Sequence, residues 1–111
     1  MVLTFLIGAA EYPLAKADAC WLERTIRTAC VDAAGRPWDP EARAALQVAD
    51  VIKEDVTHGH SPEPIELAWT SALGLLHTFR EDVADVHAHV ARSDGLAALY
   101  LALRRFARDG A

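Results

Sequence analysis

Glu11-Tyr-Pro-Leu-Ala-Lys-Ala-Asp-Ala-Cys-Trp-Leu-Glu-Arg-Thr-Ile-Arg27 decides how this chain folds, because a related run returns as Pro64-Ile-Glu-Leu-Ala-Trp-Thr-Ser-Ala-Leu-Gly-Leu-Leu-His-Thr-Phe-Arg80. Leu14, Ala15, Ala19, Leu22, Thr25 and Arg27 meet Leu67, Ala68, Ala72, Leu75, Thr78 and Arg80 at a single offset, 67 − 14 = 53. Recurrence at a fixed offset is the mark of an internal repeat and bears on the whole architecture. Two amphipathic helices that share a phase would give part of the same match. Both runs carry apolar residues at three- and four-residue steps, the period of a helix with one buried face.

Upstream, Val2-Leu-Thr-Phe-Leu-Ile7 is a continuous apolar run with β-branched and aromatic residues, which suits a strand buried on both faces. Gly8-Ala9-Ala10 turns the chain and Glu11 to Leu14 returns as a short second strand. Pro13 has no N–H to give a ladder, so that strand belongs at an edge. The first helix is expected over about 15–33, ended by Gly35.

Asp39-Pro40-Glu41 is the clearest helix start: an N-cap side chain, proline at the first helical position, and an acid at the positive end of the dipole. That helix should cover about 40–55 and bury Ala45, Ala49 and Ile52. Val56-Thr-His-Gly-His-Ser-Pro-Glu-Pro64 reads as a loop; the repeat would put a strand there, but these residues suit a degenerate strand or none, with a short extended piece expected over Pro64 to Leu67. Ala72, Leu76, Phe79, Val83, Val86 and Val90 then fit one long helix over about 68–92, with a break near Asp82 to Asp85 as the alternative, and Ser93 or Asp94 caps a last helix with Leu96, Leu99, Tyr100, Leu103 and Phe106 inside. The expected fold is α+β and helix-dominated, with an N-terminal β-hairpin packed on about four helices. The duplicated unit would be ββαα twice, within a single domain 1–111 whose pseudo-repeat halves are about 1–55 and 56–111.

The composition suits a globular domain at 52% hydrophobic and 24% charged, and the net charge of −5 speaks against a surface devoted to phosphate. The bias toward alanine, and toward arginine over lysine, suggests a high-GC bacterial coding sequence. Cys20 and Cys30 would lie about 15 Å apart along one helix, too far for a disulfide, and fit a reducing cytoplasmic setting. The apolar start lacks the basic flank and length of a signal peptide, and no stretch approaches the ~20 residues of a membrane span.

All five histidines fall between His58 and His89. On the expected long helix His77, Glu81, Asp85 and His89 step by four, so neighbouring pairs could chelate zinc or another divalent metal, with His58 and His60 adding ligands. The full ladder spans about 18 Å and cannot close on one ion. Arg24, Arg27, Arg104, Arg105 and Arg108 could converge into a basic patch for nucleic acid. No nucleophile stands beside a base in the sequence pattern. The favoured function is therefore a small non-catalytic interaction or regulatory module, homodimeric, meeting its partner through Trp21, Trp38, Trp69, Leu73 and Leu76. A metal-binding protein or metal-dependent enzyme, and a nucleic-acid-associated regulator, are the alternatives.

Overall fold

Two residues set the N-terminal hairpin. In the computed structural model, which describes residues 2–59, 63–80 and 86–109, Gly8 and Ala9 join β1 (Val2–Ile7) to β2 (Ala10–Ala15). Gly8 sits at φ 61, a left-handed conformation that a side chain resists and a tight turn requires. The strands are antiparallel, in register from Val2 opposite Ala15 to Ile7 opposite Ala10. Leu3, Phe5 and Ile7 are buried, whereas Thr4 and Leu6 stay half-buried and Val2 is exposed. This is the alternation of a one-sided sheet, not the two-sided burial suggested by the unbroken apolar run. β2 is an edge strand, as Pro13 demands, in the order β2-β1-β3.

α1 (Lys16–Ala29) buries Ala19, Leu22, Thr25, Ile26 and Ala29. It stops short of the expected 33 because Asp32 captures the backbone beyond it. The Asp32 carboxylate accepts from the N–H groups of Ala34 and Arg36 at 2.9 and 3.0 Å, and the Asp32 N–H donates to the Arg36 carbonyl at 2.8 Å. A local side-chain partner for the backbone outcompetes another helical turn. α2 (Pro40–Thr57) starts where the sequence places it, the Asp39 carboxylate accepting from the Ala42 N–H at 2.8 Å.

The second half departs from the repeat. A second copy of β1 would occupy 55–60, but residues 55–57 are the last helical turn of α2; His60 lies outside the described residues. In place of a second hairpin there is β3, only Ile65–Glu66, which lies parallel to β1 with Phe5 opposite Ile65 and Leu6 opposite Glu66. Among the described residues a second ββαα unit is not seen. The expected long helix is described as α3 (Trp69–Arg80) and α4 (Val86–Ala91), and its continuity falls on residues 81–85, outside the described part. α5 (Asp94–Asp109) follows, the Ser93 hydroxyl accepting from the Leu96 N–H at 3.1 Å. Among the described residues, five helices and one small sheet make the fold α+β and helix-dominated.

One core spans all of it, from Leu3, Phe5 and Leu14 of the hairpin to Leu22, Ile26, Ile52, Leu75, Leu76, Phe79, Leu99 and Leu103 of the helices. α2 lies between α1 and α3, and α3 also meets α5. The α2–α3 crossing is unusually close at Gly74: a Cβ there would stand 2.1 Å from the Glu41 carbonyl oxygen and 2.9 Å from the Ala45 Cβ. Arg27 ties α1 to α2, bonding Glu23 on its own helix and Asp50 at 2.8 Å. Those bonds, Asp50 first and Glu23 second, raise the guanidinium pKa above its ordinary value. No helix among the described residues is long and apolar enough to cross a membrane.

Candidate functional site

The close approach of α3 to α2 at Gly74 also builds a chemically varied corner. Because Gly74 lets α3 press onto the first turn of α2, His77, one turn further along α3, comes to Glu41. Its Nε2 is 3.4 Å from the Glu41 Oε2. Asp39 precedes the same helix, and one ligand atom each from Asp39, Glu41 and His77 lies within 4.8 Å of the other two. One Asp39 oxygen is engaged in capping α2; one carboxylate oxygen can serve a cap while its partner serves something else.

Beside this cluster opens a pocket of about 210 Å³ lined by Ala29, Cys30, Trp38, Asp39, Ala42 and His77. Its inner wall is apolar and its carboxylate and imidazole come together at one side. Cys30 is fully buried, its sulfur 3.7 Å from the Thr78 hydroxyl and 3.9 Å from the Gly74 carbonyl. That setting suits a packed thiol more than a reactive thiolate. Trp38 is 66% exposed.

A wider groove of about 580 Å³ runs between α3 and α5, lined by Leu73, Leu101, Ala107 and three arginines, Arg104, Arg105 and Arg108. Leu101 is 56% exposed on α5. The Arg104 guanidinium lies 5.6 Å from the Tyr100 ring centre, which holds its stem along the helix.

The described histidines do not gather. His77 meets Glu41 of α2, His58 meets Glu54 one turn back at 3.4 Å, and His89 meets Asp18 of α1 at 3.4 Å. Glu81, Asp85 and His60 lie outside the described residues. His89 also stacks flat on Trp21, with ring centres 4.3 Å apart, and Asp18 accepts from the Ser93 hydroxyl at 2.7 Å. This network joins α1, α4 and the start of α5, so one face of Trp21 is covered within the chain. Among the residues expected at an interface, Leu76 is 1% exposed and spent on the core, Leu73 is half-buried at the groove, and Trp38 and Trp69 remain largely open.

Asp39 and Glu41 are legible in sequence only as a cap and a dipole partner. Nothing local ties them to His77, 36 residues beyond Glu41; a glycine in the middle of an apolar helix was the available hint, since such a glycine commonly marks close packing. No family model matches the chain, and neither a curated protein nor a solved structure matches it.

Proposed function

We propose that this chain is a small non-catalytic interaction module of regulatory or accessory type, acting in the cytoplasm, and that its first partner is a second copy of itself. What carries this is the solvent face of α5. Asp94, Leu101 and Arg108 are all exposed and recur every seven residues. Seven residues fall about 20° short of two full turns, so the three form one stripe.

That stripe is complementary to itself. Two α5 helices laid antiparallel, with Leu101 on the twofold axis, put Asp94 of each against Arg108 of the other, since 101 − 94 = 7 and 108 − 101 = 7. The same arrangement lays Arg104 and Arg105 over the small Ala98 and Ala97 of the partner. An isologous contact of this kind closes on itself as a dimer, and arginine is enriched at such faces. Leu73 at the neighbouring groove extends it.

Multi-angle light scattering at tens of micromolar tests this. A dimer is expected, converted to monomer by Leu101→Glu with no change in far-UV circular dichroism. Arg108→Asp should weaken the dimer and the double exchange Asp94→Arg with Arg108→Asp should recover it. A monomeric native chain at those concentrations ends the self-association reading.

A further inference from the structure

We propose that Asp39, Glu41 and His77 bind a divalent transition metal of the zinc class at the α1–α2–α3 pocket, a site that owes nothing to the α5 face. The ligand set differs from the helical ladder visible in the sequence, because only His77 belongs to both.

Each acid alone has an ordinary explanation. Asp39 caps α2 and Glu41 complements its dipole. Neither accounts for His77, which arrives from another helix and places its Nε2 at 3.4 Å from Glu41. The three donor atoms sit within 4.8 Å of one another, close enough for small rotamer changes to bring them around one ion. The helix terminus opposes a cation with about half an elementary charge, against two formal carboxylate charges. Charge therefore favours occupancy.

The donor types select the metal. One imidazole with two carboxylates suits zinc and its first-row neighbours, whereas magnesium and calcium prefer all-oxygen shells. Three protein donors leave zinc a further position for water or another ligand, the stoichiometry of an open site. Two of the three residues, Asp39 and His77, also line the pocket, so a small molecule held there would lie beside the ion.

Zinc titration of metal-stripped, untagged full-length protein by isothermal calorimetry tests the site, with the histidine ring signals followed in ¹H–¹⁵N spectra. One zinc per chain is expected, moving the His77 ring signals first, with no displacement by excess magnesium. Asp39→Asn, Glu41→Gln and His77→Gln should each weaken zinc at least about tenfold. Asp39→Asn should keep the metal-free melting temperature, because asparagine caps a helix as well as aspartate does; it therefore separates lost ligation from lost folding. His58→Gln, which alters the unrelated pair with Glu54, should leave the affinity unchanged. No heat and no shift at millimolar zinc overturns the proposal. So does binding that survives both Asp39→Asn and His77→Gln, or binding that His58→Gln alone removes.

Discussion

Gly74 is the residue on which most depends for its size. Its missing side chain lets the α3 backbone reach the Glu41 carbonyl, and a Cβ at 2.1 Å from that oxygen has no flexible neighbour to push aside. Gly74→Ala gains helix propensity yet must force α2 and α3 apart. Overpacking of a close-packed core typically costs 1–3 kcal/mol, and with backbone as the obstacle about 3 kcal/mol is expected here. Urea denaturation reads this directly; a loss below about 0.5 kcal/mol would mean that the two helices separate freely. A smaller effect belongs to His89, whose ring covers Trp21 and faces Asp18. His89→Ala should cost about 1 kcal/mol, the usual worth of an aromatic pair, in the same denaturation experiment. If both residues of the pair are changed, Trp21→Ala and His89→Ala should lose less together than the sum of the single losses.

At the scale of elements, local signals were the reliable ones. The α2 start was legible because Asp39, Pro40 and Glu41 each act within one turn, and the hairpin because a glycine turn separates two short strand-forming runs. The end of α1 was misjudged although its cause is also local: Ala29 and Ala33 keep the helical period, but Asp32 offers the backbone two acceptor bonds outside the helix. Asp32→Ala should therefore cost about 1 kcal/mol for two solvent-exposed hydrogen bonds, while Asp32→Asn, which keeps the accepting oxygen, should cost much less. Thermal unfolding of the two variants checks it, and equal losses would show that the charge matters and the acceptor does not. β3 was foreseen only as a short extended piece, because pairing beside β1 depends on where two helices deliver the chain and not on Ile65 and Glu66 themselves. The Asp39–Glu41–His77 cluster was hidden for the same reason: its ligands reach each other through a helix crossing, and sequence spacing carries no trace of one.

The whole molecule answers the question raised by its repeated stretch. The offset of 53 that aligns the two runs also carries the first residue of α1, Lys16, onto the first of α3, Trp69. Yet the two halves do not form two cores. Leu3, Phe5, Leu22, Ile26 and Ile52 from the first half pack in one cluster with Leu67, Leu75, Phe79, Leu99 and Leu103 from the second. β1 supplies the sheet to both, pairing β2 on one side and β3 on the other. Cutting the chain between α2 and β3 would strip α2 of α3 and the sheet of a strand, leaving pieces near the size at which a single core is marginal. The fragment 1–59 alone should therefore show helical circular dichroism without a near-UV signal from Trp21 and Trp38, and no sigmoidal urea transition. Mixed with 63–111, it should recover both, because the missing surface of each piece is the other. A cooperative transition in isolated 1–59 would mean that the first half holds a core of its own, and the single shared core would have to be abandoned in favour of two joined units.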